Sequence, residues 1–160
     1  MVSAFGIILL SLSIMGFGFS YSHALKAEKE SIEGLIALCE RISTRIRCFR
    51  QDVSEIYDGF SYPFLNSVGF TFILREKGLA EALDACADKL CISTDVMNES
   101  RRFAKELGKS YYDEQLTLCG NFLNFLKDKH TEITAGLPSR TKLAFSLSCA
   151  ISLLSAILFI

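Results

Sequence analysis

All 35 charged side chains of this 160-residue chain lie between Lys26 and Lys142, so the first 25 residues and the last 18 carry none. A helix needs about 20 predominantly apolar residues to cross a hydrocarbon core of roughly 30 Å. Val2 to Tyr21 reads VSAFGIILLSLSIMGFGFSY, and Leu143 to Ile160 reads LAFSLSCAISLLSAILFI. The expectation is a transmembrane helix within residues 1–23, a helical domain over 24–138 and a second transmembrane helix over 143–160. At about 1.5 Å per residue the second run spans roughly 27 Å, enough to cross when the terminal carboxylate reaches the far headgroups.

A second reading competes at the N-terminus. Ser22-His23-Ala24 has the small-x-small form of a signal-peptide cleavage site, which would make this a secreted or surface-anchored helical protein cut after Ala24. No Lys or Arg precedes the apolar run, however, and that missing basic region favours a retained anchor. Lys26 and Lys29 follow the first run while Arg140 and Lys142 precede the second, so the positive-inside rule places the middle domain in the cytoplasm with both termini outside. The six cysteines (Cys39, Cys48, Cys86, Cys91, Cys119 and Cys149) show no secreted disulfide spacing and read as free thiols packed like small hydrophobes.

With 17 basic and 18 acidic side chains, mixed in sign, the domain lacks the basic field of a nucleic-acid binder. Its helices are legible from spacing. Ile32, Leu35, Cys39, Ile42, Ile46, Phe49, Val53 and Ile56 alternate steps of three and four through Ala24–Tyr57, which holds no Pro and one Gly. That is a heptad seam on one long helix. Glu28, Glu33, Arg41, Arg45, Arg47, Arg50 and Asp52 occupy its other faces and read as a solvated surface of mixed sign. Asp58 to Phe72 contains Gly59, Pro63, Asn66, Ser67 and Gly69, a pattern of turns and one short helix. Gly78 then opens a helical stretch with Leu79, Leu83, Cys86 and Leu90, and Ser93, Thr94 or Asp95 can cap a further helix bearing Val96, Phe103, Ala104 and Leu107.

Leu107-Gly108-Lys109-Ser110-Tyr111-Tyr112-Asp113-Glu114-Gln115 predicts a tight corner between two helices. Gly108 suits a left-handed helix end, Ser110 suits the next N-cap, and Asp113 is its partner three residues on. Beyond it, Leu116, Cys119, Leu123, Leu126, His130, Ile133 and Leu137 repeat the seam spacing, so the two long helices are expected to pair antiparallel. Pro138 predicts a kink before the last run. No stretch alternates like a strand, and the fold class is all-α, an antiparallel helical bundle between two terminal transmembrane helices.

Chemistry is not legible in this pattern. A phosphate-binding loop is absent, and Cys86 and Cys91 have no second pair to complete a zinc site. His130 falls on an apolar seam, where a satisfied core histidine is the ordinary role, and Cys119 lies about three helical turns, roughly 16 Å, from it on the same helix. No catalytic residue, cofactor or metal is assigned, and the chain reads as no enzyme.

The order of parts resembles the stage III sporulation protein AB family. The resemblance is carried by the apolar N-terminal run, by Gly78 with Ala80-Glu81-Ala82, by Phe103, by Leu107-Gly108-Lys109-Ser110 and Gln115, and by Lys142-Leu143 leading into the last run. It departs from the family at Tyr111, where an Asp usually follows the corner Ser. The resemblance implies a membrane component of the channel that endospore-forming bacteria build between mother cell and forespore, with a fold similar to the helical cytoplasmic domains of type II secretion platform proteins. It further implies channel proteins and an ATPase of the same operon as partners, met through the polar faces around the 107–115 corner. A homo-oligomer is left open.

Overall fold

A computed structural model describes the backbone of residues 2–49, 56–109 and 111–158; within the helices, the side chains of residues 2–19, 21, 22, 49, 137–141, 144, 145, 148, 149 and 151–158 are not described. The helices with described bounds follow in order: α1 (Val2–Phe49), α2 (Pro63–Ser67), α3 (Phe70–Lys77), α4 (Leu79–Ala85), α5 (Ala87–Leu90), α6 (Thr94–Glu106) and α7 (Tyr112–Leu158). The described residues contain no strand. They form two compact units, one of residues 27–132 and one of residues 1–26 with 133–160.

The unit of residues 27–132 is a helical bundle built on an antiparallel pair. Glu33 meets His130, Glu40 meets Lys127 and Arg47 meets Tyr112, so position falls on α7 as it rises on α1. Along α1 the seam is as its spacing predicts: Ile32, Leu35, Cys39, Ile42 and Ile46 are all buried, joined by Leu38. Val53 lies outside the described residues, as does the side chain of Phe49. On α7 the expected positions Cys119, Leu126 and Ile133 are buried, and at Leu123 the stripe shifts by one residue to Phe122. Cys119, Phe122 and Leu126 are buried, while Leu116 and Leu123 are only half-buried. Phe122 takes the inner place because its ring stacks on Phe103 of α6, with centroids 4.3 Å apart and planes at 13°. Each fully buried aliphatic or aromatic side chain adds about 1.5–3 kcal/mol, so this seam and its flanks carry the bundle.

Short helices close the bundle from the side. Pro63 starts α2, where its missing N–H removes no bond. Gly69 and Gly78 hold positive φ, at 83° and 92°, and turn the chain sharply into α3 and α4. Leu65 of α2 is completely buried, and the room for it is made at Gly34: a Cβ there would lie 2.7 Å from Leu65 Cγ and Cδ1 and 3.0 Å from Tyr62 Cδ1. Polar side chains of α1 tie down the chain around these helices. Arg41 donates to the carbonyls of Ile56 (3.1 Å) and Asp58 (2.7 Å), and the buried Ser31 hydroxyl donates to the carbonyl of Leu90 at the end of α5 (2.5 Å). Arg41 therefore belongs to the packing and not to a solvated face.

Helix α7 runs through Pro138 and on to Leu158. At the corner, α6 ends at Glu106 and Gly108 adopts φ 83°, the left-handed turn expected of it. Helix α7 begins at Tyr112, with the Gln115 N–H donating to the Tyr111 carbonyl (2.9 Å). Ser110 itself lies outside the described residues.

Candidate functional site

The corner that the spacing singled out is an exposed feature. Tyr111 is 85% exposed at the tip, Tyr112 donates its hydroxyl to the Arg47 carbonyl (3.3 Å), and Asp113 and Glu114 fill the first turn of α7. Two carboxylates there complement the partial positive charge of a helix N-terminus. Beside them runs an open groove of about 420 Å³ lined by Glu106, Asp113, Glu114, Thr117, Leu118 and Asn121. Of the predicted corner residues, Leu107 is buried and anchors the end of α6, its N–H donating to the Phe103 carbonyl (2.9 Å), while Gly108 and Asp113 are exposed and Gln115 is half-buried. The corner thus divides into a buried hinge and an exposed acidic rim.

A second polar cluster was not predicted. Glu33 accepts from the Tyr62 hydroxyl (3.3 Å), bonds His130 Nε2 through Oε1 (2.9 Å) and pairs with Lys29 Nζ (3.4 Å). Burial works to raise the Glu33 carboxyl, but the His130 bond and the Lys29 charge outweigh it and hold the group below the ordinary carboxylate value. The same environment pushes Tyr62 up, through burial and then the Glu33 charge. One heptad along α1, Glu40 pairs with Lys127 (3.1 Å). Glu33 had been assigned to a solvated face. The spacing held no cue, since Glu33 falls at the b position after Ile32, and interhelical charge pairs sit at e and g.

The thiols of Cys39 and Cys119 meet inside the seam, and the Cys39 thiol lies 3.5 Å from the Cys119 carbonyl it donates to. The neighbouring Cys119, and then burial, push the Cys39 thiol up, so it stays protonated and packs as a small hydrophobe. Cys86 is likewise raised by burial. Cys48 and Cys91 are exposed, and the side chain of Cys149 lies outside the described residues. Among the described residues, no three His, Cys, Asp or Glu side chains are grouped so as to hold a metal ion. A small void of about 10 Å³ borders Ser100, whose buried hydroxyl has no partner among the described residues, and its remaining lining, including Leu35, Leu83 and Phe122, is apolar.

Among the described residues, no helix is long and apolar enough to cross a membrane. Most side chains of the two uncharged runs lie outside that set. Two that lie inside it, Leu143 and Leu147, stand one turn apart and are 66% and 64% exposed.

These features define an all-helical bundle protein built on an antiparallel pair of long helices, with polar clusters at the pair and at an exposed corner. The family model for stage III sporulation protein AB matches residues 3–160, the whole chain but for its first two residues, and the chain belongs to that family. No curated protein and no solved structure matches the chain.

Proposed function

We propose that this protein, whose family points to stage III of sporulation, is a non-enzymatic membrane platform of the channel between mother cell and forespore. The observation that carries the reading is the family match over residues 3–160. Three features of the chain support it. Two uncharged runs flank a domain that holds all the charge, basic side chains border both runs on the domain side, and Leu143 and Leu147 present bare apolar surface suited to lipid. On this reading both runs are transmembrane helices, residues 24–138 lie in the mother-cell cytoplasm, and the acidic rim at 106–121 is where channel proteins and an ATPase of the same operon dock. The fold would then serve the role that helical cytoplasmic domains serve in type II secretion platforms.

Deleting the gene in its endospore-forming host and counting heat-resistant spores tests the role; wild-type spore counts would sink it. Topology is tested separately with Cys48 and Cys91, the exposed thiols of the domain. A membrane-impermeant maleimide should leave both unlabelled in intact cells and label both after lysis. Labelling in intact cells, or an intact mass lacking residues 1–24, would favour the secreted alternative.

A further inference from the structure

Cys39 of α1 and Cys119 of α7 meet across the buried seam, and neither is exposed. The short Cys39 side chain reaches the backbone of α7, its Sγ lying 3.5 Å from the Cys119 carbonyl oxygen. A disulfide needs Cα atoms about 4.4–6.8 Å apart, so it joins only residues that face each other across so close an approach. Cys86 is engaged elsewhere, its thiol donating to the Val68 carbonyl (3.7 Å), and Cys48 and Cys91 are exposed. The two seam thiols also differ in character. Cys39 is raised, whereas the hydrogen bond from Cys39 outweighs burial and holds Cys119 below the ordinary thiol value. Cys119 is thus the better nucleophile and Cys39 the partner that keeps its proton. Joining them adds no atom to the seam and so does not overpack it, and the void of about 10 Å³ beside Cys39 leaves that side chain room to turn.

We propose that Cys39 and Cys119 form a redox pair that hydrogen peroxide closes to a disulfide, fastening α1 to α7 inside the bundle. The Cys119 sulfur attacks one peroxide oxygen, the O–O bond breaks, and the departing hydroxide takes the Cys119 proton as water, leaving a sulfenic acid. The Cys39 sulfur then attacks the Cys119 sulfur. The S–O bond breaks, and this second hydroxide takes the Cys39 proton as water. Two thiols lose two electrons and two protons, and one peroxide becomes two waters. Peroxide is uncharged and near water in size, so it enters a seam whose burial shuts out larger thiol reagents. A reducing thiol reopens the bond by exchange, so the pair rests as two thiols and closes only under oxidation. The bond joins positions 80 residues apart and constrains the unfolded chain accordingly. The inference rests on the seam geometry alone and stands or falls apart from the sporulation role.

The test treats the full-length chain in detergent micelles with hydrogen peroxide, alkylates the remaining thiols in denaturant, and weighs the digested peptides; the helical signal is melted before and after oxidation. A peptide pair joined through Cys39 and Cys119, and lost on adding dithiothreitol, is expected, with melting raised by about 5 °C or more. Cys39→Ala and Cys119→Ala should each abolish both the linked pair and the rise. A further arm needs no substitution and so does not depend on a variant folding. Peroxide given to the denaturant-unfolded chain should join Cys39 to Cys119 no more often than other cysteines, whereas the folded chain should join them selectively. Free Cys39 and Cys119 in a folded chain whose Cys48 and Cys91 have been oxidised would overturn the proposal. So would linkage that forms only after unfolding, or a linked chain that melts no higher than the reduced one.

Discussion

Gly34→Ala adds a single methyl group at the tightest approach between α1 and α2. The new Cβ would lie 2.7 Å from two carbons of Leu65 and 3.0 Å from Tyr62 Cδ1, where an ordinary contact is 3.4–4 Å. Leu65 is completely buried and cannot swing into solvent, so α2 must move outward by roughly 0.7 Å or more, or Leu65 must leave its rotamer. Overpacking of this kind costs about 1–3 kcal/mol, while Ala in a helix interior regains about 1 kcal/mol over Gly. The net expectation is a loss of up to about 2 kcal/mol. The sign should reverse once Leu65 is truncated: in a Leu65→Ala background, itself costing about 2–5 kcal/mol, Gly34→Ala should stabilise by about 0.5–1 kcal/mol. Denaturant unfolding of the full-length chain in micelles, followed by its helical signal, gives all four corners of the cycle. A coupling energy of about 1–3 kcal/mol, the overpacking cost that truncation removes, is expected. If Gly34→Ala were additive with Leu65→Ala, the close approach of α2 to α1 would be refuted.

Gly120 provides the contrast, since a Cβ there meets nothing within 4 Å; Gly120→Ala should stabilise α7 by about 0.5–1 kcal/mol in the same unfolding assay. Gly108→Val should cost at least about 1–2 kcal/mol in the same assay, because φ 83° is strained for a side chain and most so for a β-branched one. The Glu33 carboxyl is held below its ordinary value of 4.5 in the folded chain, so its contribution is fully present above that value and is lost as pH falls through the lower folded value. The melting-temperature gap between wild type and Glu33→Gln should accordingly be steady above about pH 5.5 and close in acid; a gap that widened in acid would contradict the sign. In a thiol titration of the native chain, Cys48 and Cys91 should react promptly and Cys39, Cys86 and Cys119 only on unfolding. Prompt reaction of Cys39 would mean that the α1–α7 seam opens readily.

Much of the bundle was legible because heptad spacing is a property of order along one helix. The α1 seam from Ile32 to Ile46 is buried where its spacing placed it, and Gly108 takes the left-handed turn its position suggested. The α7 stripe was read one residue off at Leu123. Two phases of the helix, through Phe122 or through Leu123, fit nearly equally well, and only the Phe103 ring on a separate helix favours the first. Gly34 passed unnoticed as one glycine in a long helix, since its reason is Leu65, 31 residues away. Glu33 was set aside with the surface charges because a sequence shows the sign of a side chain and not what faces it.

From order alone come the partition of charge between two bare runs and a mixed middle, the all-helical character, the two long seams and the corner at Gly108. These depend on periodicity, sign and backbone preference, which act over a few neighbouring residues. Tertiary structure decided which face of α7 turns inward, why Gly34 has no side chain, and which surface charges are rungs between helices. Those are questions of which distant atoms come within 3–4 Å, and a chain acquires such neighbours only when its helices pack.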